Sequence, residues 1–245
     1  MQKTFSTSYE MHTIGVIHSC FKEKFGIPRQ AGLVPEARAS LELLPPYDRP
    51  EALLGLEGFS HLWIVFVFHQ AQREQWSPLV RPPRLGGNQR IGVFASRAPF
   101  RPNPIGLSLV ALEGISQQGG KLSLELSGVD LLDGTPVLDI KPYLPYADAL
   151  PEARAGYAQQ APEAPLVVHF SAAAEARLAT WIERYPELRR LIEQLLAADP
   201  RPAYQSGKAD GRRYGMRLWD FDVRWEVDED GLRVTDIVPL ASGKQ

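Results

Sequence analysis

The chain has 245 residues, 44% of them hydrophobic and 23% charged, with a net charge of −2 at pH 7. These values are ordinary for a soluble globular protein built as one large domain or as a domain with an appendage, and they give no global electrostatic case for nucleic acid, whose binders are usually basic overall. The opening residues are polar and lack a secretory pattern, the longest apolar run (62–68) is too short to span a bilayer, and a single cysteine, Cys20, excludes an intramolecular disulfide or a cysteine-rich zinc site, so a cytoplasmic location is expected.

Residues 11–19 alternate weakly around Ile14, Val16 and Ile17 and predict a strand. A loop follows over 21–33, FKEKFGIPRQAGL, ordered by Gly26, Pro28 and Gly32. Residues 37–44 predict a second strand that Pro45-Pro46 stops, and 49–54 a helical turn with Pro50 near its start. The run LWIVFVF within 59–70 reads as a strand buried on both faces, with the polar pair His69-Gln70 at its end. Beyond residue 106, segments 107–115 and 122–126 predict a hairpin around Gly119-Gly120. Residues 129–132 lead to the turn Asp133-Gly134-Thr135-Pro136, a strand resumes over 137–140, and KPYLPY closes the domain.

Residues 148–165 read as a linker. A short strand is expected at 167–170, then a helix capped by Ser171 from Ala172 to about Ala198, interrupted at Pro186. Segments 216–227 and 232–238 predict a C-terminal hairpin turning at Asp230-Gly231. Many short strands separated by turns suggest a mainly β protein, a barrel or curled sheet, followed by a small α+β unit. The expected domains are 12–151 and 166–240.

The unusual chemistry lies at residues 81–108. This stretch holds Arg81, Arg84, Arg90, Arg97 and Arg101, and the span from Gln75 to Leu112 contains no Asp or Glu. Five prolines and four glycines exclude one long helix, while Ile91, Val93 and Phe94 predict a short buried strand between two loops. Rigid loops that present arginine forks suit anionic or planar polar ligands. Asn103-Pro104 adds an amide suited to a base edge. A second basic cluster lies at Lys208, Arg212, Arg213 and Arg217. Motifs for serine hydrolases, zinc proteases, phosphate loops and Rossmann cofactor sites are missing, and the five histidines do not fall at zinc-ligand spacing, so no metal is expected. His69-Gln70 alone would be strand-end polar groups, and Asp133–Pro136 alone a tight turn.

Together FKEKFGIPRQAGL, GLEGFSHLWIVFVFHQ, RPPRLGGNQRIGVFASRAPFRPNPIGLSLV, DLLDGTPVLDIKPYLPY and DPRPAY resemble the TsaA-like family, specifically its bacterial TrmO branch. The resemblance implies a single-sheeted β-barrel and a homodimeric tRNA methyltransferase with S-adenosyl-L-methionine as cofactor. It implies methylation of N6 of N6-threonylcarbamoyladenosine beside the anticodon of threonine tRNA, without a membrane or DNA partner. Carried onto this chain, the cofactor site draws on Arg29, Gln30 and Ala31, on His69 and Gln70, on Arg97 and Leu107, and on Asp133, Gly134, Thr135 and Pro136.

Methyl transfer is an in-line displacement, so catalysis is chiefly positioning. Arg101 and Asn103 are the candidates for orienting the modified base, and Lys141 or Tyr143 for assisting the transition state. Arg84, Arg90 and Arg101 are candidates for the threonyl carboxylate, and Arg201, Lys208, Arg212 and Arg213 for the tRNA body. The alternative is a regulatory module that binds S-adenosylmethionine and RNA and transfers nothing.

Overall fold

The computed structural model describes residues 8–71, 75–160, 166–201, 211–228 and 231–240. Six strands close a barrel: β1 (Gly15–Ser19), β2 (Arg38–Leu43), β3 (His61–Val67), β6 (Ile105–Gln118), β7 (Lys121–Ser127) and β8 (Pro136–Pro142). Their order around the barrel is β1-β2-β7-β6-β3-β8, and every pairing is antiparallel. The mainly β expectation holds, and the choice between barrel and curled sheet falls to the barrel.

Alternation decides what fills it. Ile17, Leu41, Leu62, Ile64, Leu124, Leu126 and Val137 point inward and are buried. The run in β3 therefore does not bury both faces. Leu62, Ile64 and Phe66 face the core, while Trp63, Val65 and Val67 are half-covered on the outside. Trp63 is sheltered there by Tyr143, edge-on at 6.1 Å, and donates its indole N–H to Asp148 at 3.1 Å. The β6–β7 turn places Gly119 and Gly120 at φ 59° and 79°, the left-handed pair that a two-residue hairpin of this hand requires.

In the arginine-rich span the expected strand shrinks to a two-residue ladder between β4 (Leu79–Val80) and β5 (Ile91–Gly92). The chain then coils into a 3-10 turn over Val93–Ala95, with Val93 buried and Phe94 exposed. Adjacent side chains in a strand point to opposite faces, so one apolar anchor and one solvent-facing ring ended the apolar run.

The appendage is a four-stranded sheet in the order β10-β11-β12-β9, with β9 (Val168–Phe170) parallel to β12 (Gly231–Pro239). The predicted single strand over 216–227 is two strands, β10 (Arg213–Leu218) and β11 (Phe221–Asp228), because Trp219 takes φ 46° and reverses the chain. The short helix α1 (Pro145–Asp148) follows the barrel. The long helix divides into α2 (Ala172–Trp181) and α3 (Leu188–Ala197). Pro186 disfavours helical backbone at Tyr185 and clashes one turn back, which explains why the break precedes it. The hydroxyl of Ser171 accepts the Ala174 amide at 3.1 Å and caps α2.

Barrel and appendage share one hydrophobic cluster. Phe21 bridges to Leu218, the Trp219 amide donates to the Cys20 carbonyl at 2.8 Å, and the Gln194 side chain accepts the Glu36 amide at 3.1 Å. Truncation after residue 165 would open this core, so point substitutions are the cleaner way to separate the roles of the two units.

Candidate active site at one rim of the barrel

Strand direction sorts the loops into two sets. The connections β1–β2 (20–37), β3–β6 (68–104) and β7–β8 (128–135) all leave from one rim. The cofactor residues expected from resemblance sit on these three connections or at the strand ends that join them.

The centre is a pinned contact between loops. The Arg97 guanidinium donates to the Gln30 amide oxygen, and the Gln30 amide nitrogen donates to the Arg29 carbonyl. Arg29 itself donates to the Arg201 carbonyl at 3.2 Å. Beneath lies Asp130, whose carboxylate accepts the Ser108 hydroxyl at 2.5 Å and also the Ala31 amide, within reach of the Arg97 charge. Burial pushes the Asp130 carboxyl up, against the pull of Ser108, of the Asp130 and Ala31 amides and of Arg97. Leu107, one residue before Ser108, remains 55% exposed.

The loop over 21–33 also reaches sideways. Lys24 donates to the Gln70 carbonyl at 2.5 Å and Lys22 to Asp133 at 2.6 Å. Asp133 further accepts the Ser19 amide at 3.0 Å. Thr135 is buried with its hydroxyl on the Leu132 carbonyl at 2.6 Å, and Gly134 takes φ 76° and donates to the Ile17 carbonyl at 2.8 Å. The β7–β8 connection is thereby a fixed turn whose Asp133 faces a lysine. His69 lies half-buried where β3 leaves the barrel, its amide bonded to the Val67 carbonyl at 2.8 Å.

Sequence reasoning missed Asp130 and Ser108. An acidic residue inside the apolar run VDLL was the available signal, since a carboxylate there needs partners to be buried. Cys20 is buried and its thiol is pushed up to about 12, chiefly by burial, so it holds no thiolate for nucleophilic work near neutral pH.

The structure does not gather every expected residue. Lys141 pairs with Trp63 and Tyr143 follows where β8 leaves the opposite rim, whereas Phe66 pairs with Val137 at the loop-bearing end. Four residues of strand separate Trp63 from Val67, about 13 Å. Lys141 is committed to Asp139 at 2.8 Å, and Tyr143 packs on His61 and Trp63. Within one chain they stand apart from the cluster. Arg101 is half-buried and clamps the 3-10 turn, donating to the Val93 carbonyl at 3.2 Å and the Ser96 carbonyl at 2.7 Å. Asn103 is exposed, with its carbonyl taken by the Ile105 amide at 2.7 Å.

Arg84 and Arg90 are exposed, Arg84 donating to the Gln160 carbonyl at 2.7 Å. Arg201 departs from its expected surface role. It is 1% exposed and its guanidinium grips Asp199 at 2.8 and 3.0 Å, so it braces the appendage beside Arg29. Arg212 and Arg213 are exposed at the start of β10, and Lys208 lies outside the described residues.

The donor set suits S-adenosylmethionine. Arginine forks match its carboxylate, buried and half-buried carboxylates its cationic or hydroxyl groups, and Leu107 an adenine face. Asp130, Asp133 and Arg97 lie on connections that leave one rim, Asp130 held by Ser108 within reach of the Arg97 charge, Arg97 on Gln30, and Asp133 paired with Lys22.

Comparison with known proteins places this geometry in a family. The family model for the tRNA-methyltransferase O N-terminal domain matches residues 16–149, and that for the TrmO C-terminal domain residues 163–240. The chain is 53% identical over 233 residues to the tRNA (adenine(37)-N6)-methyltransferase of Escherichia coli K12, covering 95% of this chain and 99% of that one. It is 54% identical over 232 residues to the Pseudomonas aeruginosa protein RcsF, named as an S-adenosylmethionine-dependent methyltransferase, covering 94% and 98%. A crystal structure of TrmO from Pseudomonas aeruginosa superposes with a TM-score of 0.78 at 48% identity, covering 95% of this chain and 99% of that one. With the two domain models matching residues 16–149 and 163–240 and its fold shared with the solved structure, this chain belongs to the TrmO family.

Proposed function

We propose that this chain is an S-adenosylmethionine-dependent methyltransferase of N6 of adenosine 37 in tRNA, and that its substrate base is N6-threonylcarbamoyladenosine in threonine tRNA. The observation that carries the reading is the convergence of Gln30, Arg97 and Asp130 from three sequence-distant loops on one rim, in a chain that shares half its residues with a named tRNA (adenine(37)-N6)-methyltransferase. The regulatory alternative, which also binds RNA, accounts for the cofactor site and the arginine surface equally well; the identity to a named methyltransferase favours transfer.

The cofactor supplies an electrophilic methyl group. The chain's own residues position what surrounds it. Arg97, held by Gln30, takes the cofactor carboxylate, with Arg29 beside it. Asp133, anchored by Ser19 and Lys22, faces polar cofactor groups, and Asp130 fixes the Ala31 amide and Ser108 beneath them. His69 and Gln70 close the side where β3 ends. The carbamoyl group makes the target nitrogen urea-like and more acidic than a plain exocyclic amine, so orientation rather than a strong base sets the rate. Arg101 acts here as a positioning residue for the turn that carries Phe94 and Arg97.

Exposed Arg84 and Arg90 are the cations for the threonyl carboxylate, and Arg212 and Arg213 for tRNA phosphates. The active unit is a homodimer in the cytoplasm, and Ile105, apolar and exposed beside the site, supports the dimer. Among the described residues no helix is long and apolar enough to cross a membrane.

Labelled methyl transfer to total tRNA, followed by nucleoside mass analysis, tests the function. A methylated threonylcarbamoyl nucleoside is expected, and its absence under saturating cofactor would leave the regulatory reading standing. Threonine tRNA lacking the threonylcarbamoyl group is expected to lose at least about tenfold in kcat/KM, because the carboxylate-binding arginine is then unpaired.

Asp130 yields a pH prediction. Its folded carboxyl titrates above the unfolded one, so the folded state holds the extra proton between those two values. Stability therefore falls as pH rises through that interval, and the deficit persists above it. Asp130→Asn is expected to raise Tm relative to the parent chain at neutral pH but not at pH below both values. It is expected to weaken cofactor binding several-fold through lost charge. Melting curves across pH check the first outcome, and coincident curves would show that Ser108 and Ala31 fully offset the burial.

A further inference from the structure

We infer that Trp76 and Phe94 form a stacking platform for an unpaired base of the tRNA next to the target adenosine, an inference that rests on the tRNA reading above. The two rings are 52% and 72% exposed, their centroids lie 6.4 Å apart and their planes are 30° from parallel. They are 18 residues apart in sequence and meet because β4 and β5 pair Leu79 with Gly92 and Val80 with Ile91.

The scaffold beneath them is built. The Val93 amide donates to the Pro78 carbonyl at 2.9 Å, buried Val93 anchors the 3-10 turn, and the Ser96 hydroxyl returns to the Val93 carbonyl at 2.9 Å. Arg101 ties the same turn twice and carries its guanidinium 5.7 Å from the Phe94 centroid. Loop chain alone does not hold large rings in water this way. Apolar surface kept exposed on an ordered support marks a place where something lies against it.

Charge says what that is. Arg81, Arg84, Arg90 and Arg97 are exposed on the same span of chain as the rings, and residues 75–112 include no acidic side chain. A polyanion with flat apolar faces satisfies both features at once, and an aromatic ring accepts any base because every base has a π-face. Phe94 lies three residues before Arg97, the residue that reaches Gln30, so the platform adjoins the cofactor rim along the chain. Chemistry on an exocyclic nitrogen draws the target base out of its stack. A ring pair that receives the abandoned neighbour restores the lost stacking and registers the loop. Its preference is for unpaired over paired bases, with little choice among the four.

The test uses the full chain and an anticodon stem-loop carrying the threonylcarbamoyl group, intact or with an abasic sugar at either neighbour of the target. Trp76→Ala and Phe94→Ala are each expected to raise the Kd and KM for the intact stem-loop by about tenfold, with cofactor affinity unchanged. Against the abasic stem-loop that lacks the stacked base, the same substitutions are expected to have no further effect. Trp76→Phe and Phe94→Trp are expected to restore binding. An unchanged Kd, or an equal loss on intact and both abasic stem-loops, would overturn the platform while the methyltransferase reading stands. A shift to monomer in sedimentation that accounts for the loss would assign the rings to a contact between copies and overturn it as well. A parent chain that neither binds nor methylates the stem-loop overturns the tRNA reading and this inference together.

Discussion

Arg97→Ala is expected to lower kcat/KM for methyl transfer by about a hundredfold, mostly as a rise in the apparent dissociation constant for S-adenosylmethionine. A hydrogen bond to a charged group contributes about 1.5–3 kcal/mol, which corresponds to one to two decades in binding. The substitution also frees Gln30, whose amide oxygen Arg97 holds, so the loop around Ala31 loses its orientation as well. Arg97→Lys keeps the charge but not the planar fork, and should recover only part of the loss. Because Arg97 is exposed, Tm should stay near that of the parent chain. Calorimetric titration of cofactor, paired with tRNA binding, separates the outcomes. An unchanged cofactor Kd with a weakened tRNA Kd would move Arg97 to the RNA surface.

Gly106→Val should destabilise the fold by about 3 kcal/mol. Gly106 lies opposite Phe66 in the β3–β6 ladder, and a Cβ built on it would come within 2.2 Å of the ring's Cζ and within 2.6 Å of both Cε atoms. The ring cannot swing clear, because Phe66 is buried and packed edge-on against Phe68 with centroids 4.9 Å apart. For a chain of this size the loss amounts to roughly 10 °C in Tm. Leu107 and Ser108 follow directly, so cofactor binding should fail alongside. Gly114→Ala is the control, since a Cβ there meets nothing within 4 Å. Gly106→Ala combined with Phe66→Leu should recover much of the stability, which would confirm that the ring is the obstacle.

Turn residues and weak alternation announced several barrel strands, with Pro45-Pro46 after β2 and Gly128 after β7, whereas β3 read as an unbroken apolar run whose half-covered outer face was hidden. What alternation could not show was where an apolar run leaves the sheet. Phe94 continues Ile91 and Val93 in composition, yet its ring faces water, and Trp219 looks like one more strand residue until its positive φ turns the chain. The long-range pairing was equally hidden. Gln30, Arg97 and Asp130 are separated by 67 and 33 residues, and no local pattern links them before the barrel closes. Resemblance supplied Arg29, Gln30, Arg97 and the Asp133–Pro136 turn, but not Asp130 and Ser108 beneath them. Arg201 read as a surface cation because sequence carries no sign that Asp199, two residues away, turns back to meet it.

The seam between β1 and β8 registers only Gly15 with Val137 and Val16 with Pro136, the shortest of the six, and the Asp133–Pro136 turn ends it. Local opening of a closed sheet starts where the ladder is shortest. If the proposed cofactor site holds S-adenosylmethionine at that turn, the molecule would act as a latch on the cylinder, and by mass action its concentration would set how often the cylinder opens. Amide exchange at Ile14 and Ile17, whose N–H groups cross the seam to Val137 and Thr135, would follow the supply of methyl donor.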